Sequence, residues 1–308
     1  EAVWSKLSAA ERGRLLMKLS AKVAEHAEEL AAVEQRDCGK PTKQARADAL
    51  ALVRYFEFYA GACDKLHGET IPYLDGYSVL TWREPHGVTG HIIPWNYPMQ
   101  IFGRSVGAAL AAGNACVVKP AEDACLSLLR VAQLAAEAGL PDGALNIVTG
   151  YGHEAGAALA AHPGINHVSF TGSPETGKLI VRAAAENHVP VTLELGGKSP
   201  QILFADADVE AAIPAVVAGI IQNAGQTCSA GSRVLIERSL YESVLDRLAS
   251  VFESIKVGPS MLDLDCGPLI NPKQQQRVWD FVSDAQHANI PVMAQGLVVP
   301  EAPETGYY

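Results

Sequence analysis

Residues 87–119 decide the fold and read GVTGHIIPWNYPMQIFGRSVGAALAAGNACVVK. The segment from Gly87 to Pro94 is apolar and predicts a buried strand, whereas residues 99–112 repeat their apolar side chains at helical spacing. Residues 115–119 predict a second short strand. Short apolar strands separated by helices indicate a parallel sheet that is covered by helices on both faces.

The same alternation of strands and helices continues toward the carboxyl terminus. Further strands are predicted at residues 144–149, 167–171 and 191–195, with helices at residues 126–138, 153–161 and 175–186. After Ser199 the pattern gives strands at residues 201–204 and 232–236 and helices at residues 208–222 and 240–254. These elements predict an α/β fold: a Rossmann-type parallel sheet, followed by part of a second α/β domain that begins near Gly196–Gly197.

The amino-terminal residues predict helices and then a hairpin. Ser8 and Glu11 are spaced as a capping box, and residues 6–60 carry apolar side chains at helical spacing. The dipeptide Asp75-Gly76 lies between two runs that are rich in β-branched and aromatic residues, which is a strong hairpin signal. Such a hairpin between helices and a sheet predicts a protruding element that serves an interface.

Composition excludes several classes of protein. The 308 residues include 24 basic and 34 acidic side chains, a net charge of −10, and no run of Lys or Arg, so we expect no nucleic-acid partner. The longest uncharged window, Ala211–Ser232, is interrupted by Pro, Gln, Asn and Gly, so we expect no membrane span. Six cysteines without CxxC pairs or His partners at zinc spacing predict free thiols in the cytoplasm and no metal site.

Polar loops follow the predicted strands, and such loops gather at one edge of a parallel sheet. They are PWNYP (94–98), KPAE (119–122), FTGS (170–173) and ELGG (194–197), and a fifth segment, GQTCS (225–229), places a cysteine in the later domain.

Two glycine patterns in the same region are close to known nucleotide motifs. Gly150, Gly152 and Gly156 are one residue too widely spaced for a dinucleotide fingerprint. The run from Gly172 to Lys178 has the spacing of a phosphate loop but is followed by Leu instead of Ser or Thr, so the hydroxyl that binds magnesium is missing. This mismatch argues against an ATPase or a kinase.

Taken together, these segments resemble the aldehyde dehydrogenase superfamily. The resemblance is carried by PWNYP (94–98), KPAE (119–122), FTGS (170–173), LELGGKSP (193–200) and GQTCS (225–229), in the family's order and at its spacing. It extends from Trp4 to Tyr308, and the family continues beyond both ends, so we expect a fragment of a longer protein. The resemblance implies four segments: amino-terminal helices of the cofactor domain (1–65), an oligomerisation hairpin (66–84), an NAD-binding domain (85–196) and a partial catalytic domain (197–308).

Three residues are the candidates for catalysis. Aldehyde oxidation needs a nucleophile that turns the carbonyl into a hydride donor, and the thiolate of Cys228 is suited to this step. The Asn96 amide and the Cys228 backbone N–H would stabilise the oxyanion, and Glu194, tuned by partial burial, would activate the water that hydrolyses the thioester. Taken singly, these residues would be interpreted as a buried thiol, a turn residue and a surface charge.

The resemblance also implies where the cofactor binds. Lys119 and Glu122 would hold the adenosine ribose, and Ser173 would meet the pyrophosphate at a helix start. Because the Glu122 carboxylate would repel a 2′-phosphate, we expect NAD rather than NADP. Leu195 would face the nicotinamide. The remaining cofactor contacts are expected from Ile93, Pro94, Trp95, Ala121, Gly152, Gly156, Phe170, Thr171 and Gly172.

Three functions stay open from the sequence. The first is NAD-dependent oxidation of an aldehyde to a carboxylic acid, in a homodimer or homotetramer. The second is a CoA-acylating relative, against which Glu194 argues because thioester transfer to CoA needs no water base. The third is a non-catalytic binding protein with the same fold, against which the joint presence of Asn96, Glu194 and Cys228 argues.

Overall fold

Three helices open the chain in the computed structural model, which describes residues 3–308: α1 (Ala9–Glu25), α2 (Ala27–Cys38) and α3 (Thr42–Ala62). Helix α1 begins at the predicted capping box, in which the Ser8 hydroxyl accepts the Glu11 N–H and the Ser8 N–H donates to the Glu11 carboxylate at 2.8 Å. Along one face α1 buries Leu16, Leu19 and Val23, as the helical spacing predicts.

The predicted hairpin follows these helices. Its strands, β1 (Thr70–Ile71) and β2 (Val79–Leu80), are antiparallel, and the turn between them has Gly76 at φ 84°. That left-handed conformation suits glycine, which has no Cβ. The side chains of Tyr73, Tyr77 and Trp82 along the hairpin are exposed.

A five-stranded sheet forms the centre of the first unit. Its strands are β3 (Val88–Ile93), β4 (Ala115–Pro120), β5 (Leu145–Ile147), β6 (His167–Gly172) and β7 (Val191–Leu195), in the spatial order β5-β4-β3-β6-β7. β3 pairs in parallel with β4 on one side and β6 on the other. The strand order therefore reverses at β3, which is the position where doubly wound sheets bind ligands beyond their carboxyl ends.

The helices of this unit follow the strands as predicted. They are α4 (Pro98–Ala111), α5 (Leu126–Glu137), α6 (Ala157–Ala160) and α7 (Pro174–Ala185). The one helix predicted at 153–161 is divided, because a π-helical turn, Gly152–Gly156, precedes α6. In that turn the Gly156 N–H donates to the Tyr151 carbonyl oxygen, five residues earlier, at 3.4 Å. Turns of this type are frequent at functional sites.

The second unit contains a smaller α/β arrangement. Strands β8 (Pro200–Leu203) and β9 (Arg233–Ile236) are parallel, and α8 (Val209–Ile221) and α9 (Tyr241–Ser254) follow them. These four elements share a core of Leu203, Ile213, Val216, Val217, Val244 and Leu248. Two short parallel strands, β10 (Lys256–Val257) and β11 (Leu297–Val298), and the helix α10 (Pro272–His287) complete the unit.

The two units comprise residues up to Leu30 with Ala47–Glu194, and Ala31–Arg46 with Leu195–Tyr308. Residues 31–46 thus belong with the carboxyl-terminal part, although the sequence groups them with the amino-terminal helices. Close backbone packing explains this, since a Cβ on Gly267 would lie 2.0 Å from the Gly39 carbonyl oxygen. The Lys43 N–H also donates to the Asp263 carboxylate at 2.8 Å. The functional assignment of the four predicted segments stays a prediction.

Across the described residues, 3–308, the helices are too short or too polar to cross a membrane.

Candidate cofactor-binding cleft and nucleophile loop

The loop after β3 carries the first candidate residues. β3 ends at Ile93, and α4 begins at Pro98, whose fixed φ and missing N–H suit the first position of a helix. Between them Trp95 and Asn96 are half-buried. The Asn96 amide therefore stands at the carboxyl end of the central strand, as the sequence predicts.

The loop after β4 holds an ion pair. The Lys119 side chain is 3% exposed, and its Nζ lies 2.6 Å from Oε2 of Glu122. Partial burial acts to raise the pKa of Glu122, but the hydrogen bond from Lys119 and the further hydrogen bonds outweigh it, so that this pKa lies below its usual value. The Glu122 carboxylate is thus ionised at neutral pH, with Oε1 accepting the Gly152 N–H at 3.4 Å.

An apolar cavity of about 190 Å³ lies beside this ion pair. It is lined by Val117, Lys119, Val148, Ala155, Ala158, Leu159 and His162, which come from β4, the loop after β5 and the π-helical turn with α6. A flat apolar ring fits such a cavity, and one of its lining residues, Lys119, is the ion-pair partner of Glu122. The Gly152–Gly156 region is thus a surface next to the cavity even though its spacing fails the dinucleotide fingerprint.

The loop after β6 leads into the start of α7. Ser173 is the N-cap of α7, where its exposed hydroxyl accepts the Thr176 N–H at 3.1 Å. The unpaired N–H groups at a helix start favour a phosphate. Gly172 is needed here because a Cβ at this position would lie 2.5 Å from the ring of Phe170, which is buried. A carboxylate, an apolar cavity and a helix start thus follow β4, β5 and β6, and this set of groups fits a dinucleotide.

Strand β7 carries Glu194 and Leu195. Its side chains alternate, so that Thr192 and Glu194 are exposed while Leu193 and Leu195 are half-buried. The partial burial that the sequence reasoning assigns to Glu194 is therefore wrong. The strand period of two places Glu194 on the exposed face of the strand.

The thiol of Cys228 differs from those of the other cysteines. Cys228 is exposed, whereas Cys125 is half-buried and the other four are buried. Burial raises the pKa of the Cys63 thiol, that of Cys266 to about 11 and that of Cys116 to about 12. Thiolate chemistry is thus suppressed at these three positions.

An unusual turn leads into the cysteine loop. Helix α8 ends at Ile221, and then Asn223, Ala224 and Gly225 adopt left-handed conformations with φ of 48°, 53° and 77°. Left-handed backbone is unfavourable for L-residues other than glycine, and Asn tolerates it best among them. Sequence reasoning did not predict this turn, because only one of its three residues is glycine.

Two further contacts fix the loop within the second unit. A Cβ on Gly197 would lie 3.3 Å from the Cys228 carbonyl oxygen, so the ELGG segment packs on the backbone of the cysteine. The Gln226 side chain donates to the Asn223 carbonyl at 2.9 Å and accepts the Ile270 N–H at 3.0 Å. The motif glycine and glutamine thus shape the loop around Cys228.

Comparison with known proteins identifies the family. The family model of the aldehyde dehydrogenases matches residues 1–308. Hydroxyisobutyraldehyde dehydrogenase of Mycolicibacterium austroafricanum is 46% identical over 280 residues, which are 91% of this chain and 56% of that protein.

Two solved structures are similar along nearly the whole chain. One, from Burkholderia cenocepacia and assigned to the aldehyde dehydrogenases, has 77% identity and a TM-score of 0.98 over 99% of this chain and 64% of its own. The NAD⁺ complex of aldehyde dehydrogenase from Bacillus cereus has 44% identity and a TM-score of 0.93 over 99% of this chain and 62% of its own. This chain therefore spans less than two thirds of the length of these proteins, and it belongs to the aldehyde dehydrogenase family.

Proposed function

We propose that the protein oxidises an aldehyde to a carboxylic acid through a covalent thioester on Cys228, with NAD as hydride acceptor. The observation that carries this proposal is the GQTCS loop, which places the free thiol of Cys228 directly after the left-handed turn in a chain of the aldehyde dehydrogenase family. The B. cereus relative, crystallised with NAD⁺, supports the choice of cofactor.

The reaction starts with addition of the Cys228 thiolate to the aldehyde carbonyl, which gives a thiohemiacetal oxyanion. The Asn96 amide and the Cys228 backbone N–H donate hydrogen bonds to this oxyanion. Bound NAD supplies the acceptor for the hydride that leaves the same carbon, and the thioester remains on Cys228. Glu194 then removes a proton from water, the hydroxide adds to the thioester, and the carboxylic acid and the free thiol are released.

The cofactor would be held by the cleft of the first unit. The Glu122 carboxylate, already ionised, accepts hydrogen bonds from the two ribose hydroxyls, and Ser173 with the start of α7 binds the pyrophosphate. A 2′-phosphate would bring negative charge next to Glu122, which disfavours NADP. The other proposed contacts are Ile93, Pro94, Trp95, Lys119, Ala121, Gly152, Gly156, Phe170, Thr171, Gly172 and Leu195.

Two alternatives have less support. A CoA-acylating enzyme does not need a carboxylate that activates water, and the presence of Glu194 therefore argues against it. The joint presence of Asn96, Glu194 and Cys228 argues against a non-catalytic protein. The relative named for hydroxyisobutyraldehyde supports an aldehyde substrate in general, without fixing which one.

Assembly and location are part of the same proposal. The exposed aromatic side chains of the β1–β2 hairpin, Tyr73, Tyr77 and Trp82, favour packing against a second copy in a homodimer or homotetramer. Sedimentation of the complete protein as a monomer at micromolar concentration would contradict this. The six free thiols support a cytoplasmic protein.

The experiment that tests the function is a steady-state assay of the complete native protein. An aldehyde panel is tested with NAD, NADP and CoA, and the Cys228→Ala variant is assayed beside the parent. We expect NAD-dependent acid formation in the parent and none in the variant, with NAD binding retained. Acyl-CoA formation would support the CoA-acylating alternative, and unchanged turnover in Cys228→Ala would remove this cysteine from the mechanism.

A further inference from the structure

The left-handed turn before the nucleophile is held by a residue that no catalytic motif contains. The N–H of Asn223, the first residue of the turn, donates to Oε1 of Gln44 at 2.8 Å. Gln44 lies in the first turn of α3, within the segment 31–46 that belongs to the same unit as the cysteine loop. The acceptor thus comes from a part of the chain 179 residues away in sequence.

The hydrogen bond from Asn223 to Gln44 satisfies a buried backbone N–H in a left-handed turn. Asn223 is buried, so its N–H requires a partner inside the protein. Asn223 and Ala224 both have left-handed backbone, which is unfavourable for alanine and persists where surrounding contacts fix it. Without the Gln44 acceptor, the buried N–H would lose this partner and the turn would lose one of the bonds that define it.

The left-handed turn is hydrogen-bonded to the loop that carries Cys228. The Gln226 N–H donates to the Asn223 carbonyl at 3.0 Å, and the Thr227 N–H donates to the Gly225 carbonyl at 2.9 Å. The Thr227 hydroxyl also donates to the Gln222 carbonyl at 3.3 Å. Cys228 follows directly, so the direction of its backbone N–H and thiol depends on the left-handed turn.

We propose that Gln44 is a positioning residue, which holds the turn at residues 223–225 and thereby orients Cys228 for attack on the aldehyde. The inference rests on the proposed role of Cys228 as the nucleophile. It predicts that loss of the acceptor impairs the acylation step more than cofactor binding or folding, since Gln44 lies outside the proposed cofactor contacts.

The test compares three variants of the complete protein. Gln44→Met keeps the length of the side chain but removes the acceptor, and Gln44→Glu keeps an acceptor. Gln35→Met is the matched control, because Gln35 lies in the same segment and bonds Thr42 and the Ser260 carbonyl instead of the cysteine loop. The measured quantities are the single-turnover rate of aldehyde oxidation, the affinity for NAD and the thermal midpoint.

We expect Gln44→Met to slow the single-turnover rate by roughly 10-fold, which corresponds to the loss of one buried hydrogen bond. NAD affinity should change by less than about 2-fold, Gln44→Glu should restore most of the rate, and Gln35→Met should keep it. If Gln44→Met destabilises the fold, Gln44→Asn replaces it, since this variant retracts the amide by one methylene and should lose the same rate.

Two results would overturn the proposal. The contact does not position the thiol if Gln44→Met and Gln44→Asn react as fast as the control Gln35→Met. The hydrogen-bond acceptor is not what matters if Gln44→Glu reacts as slowly as Gln44→Met. Failure of the proposed function gives a different result: Cys228→Ala would then still oxidise aldehyde, whatever Gln44 does.

Discussion

A buried histidine in the central strand should make the fold sensitive to acid. His91 lies in β3, is 2% exposed, and its Nε2 is 2.8 Å from the Thr89 hydroxyl. Its Nδ1 is buried and lacks a hydrogen-bond partner among the described residues. Burial, and then the nearby His167, lower the pKa of His91 from 6.5 to about 3.

The sign and size of the effect follow from linkage. Well above pH 6.5 His91 is neutral in both the folded and the unfolded chain, so its titration does not change the free energy of unfolding there. As the pH falls from 6.5 toward 3, the unfolded histidine binds a proton that the folded one does not, so the free energy of unfolding decreases. At pH 5 this loss amounts to about 2 kcal/mol, or a factor of about 30 in the folding equilibrium.

The variant His91→Gln tests the argument, because an amide can still bond Thr89 but does not titrate. Chemical denaturation of the complete protein, followed by tryptophan fluorescence, is measured at pH 7.5 and pH 5. When the pH is lowered from 7.5 to 5, the free energy of unfolding should fall by about 2 kcal/mol less in His91→Gln than in the parent. The matched control is His153→Gln, which makes the same substitution at an exposed histidine outside the core. Equal pH dependence in His91→Gln and the parent would refute the assignment.

Three further predictions concern the proposed chemistry. Glu122→Gln should narrow the preference for NAD over NADP, because it removes the charge that repels a 2′-phosphate; equal kcat/KM for both cofactors in the parent would count against this role. Glu194→Gln should leave acylation largely intact and slow thioester hydrolysis, seen as a burst of NADH before a slow phase; full steady-state turnover would exclude it as the base. Asn96→Ala should lower kcat by about 10²–10³-fold while Cys228 stays open to alkylation, and a loss below 10-fold would argue against an oxyanion role.

Much of the fold was predictable because its elements are locally consistent. The strands that flank Asn96 and Lys119 are short apolar runs, and the helices between them have clear apolar faces, so pattern and structure agree from β3 to α9. The helix α10 was not predicted, although Val278, Phe281 and Val282 recur at helical spacing; these side chains are exposed in this chain, and the helix buries none of its residues.

The environment of the candidate residues was harder to predict than their identity. The spacing of Lys119 and Glu122 does not indicate how deeply either side chain lies, and the lysine is almost fully buried. Glu194, expected to be partly buried, is exposed. Sequence spacing places a side chain on a loop, but its burial depends on what packs against that loop from distant parts of the chain.

The cysteine loop shows why residues outside the motifs matter. Its three left-handed residues, 223–225, have no local signal beyond one glycine, and the acceptor that holds the turn comes from Gln44 in α3. On the other side of the cysteine, a Cβ on Gly231 would lie 2.4 Å from Nε2 of Gln201, which donates to the Gly231 carbonyl at 2.9 Å. The loop is therefore held at both ends by glutamine side chains from other elements.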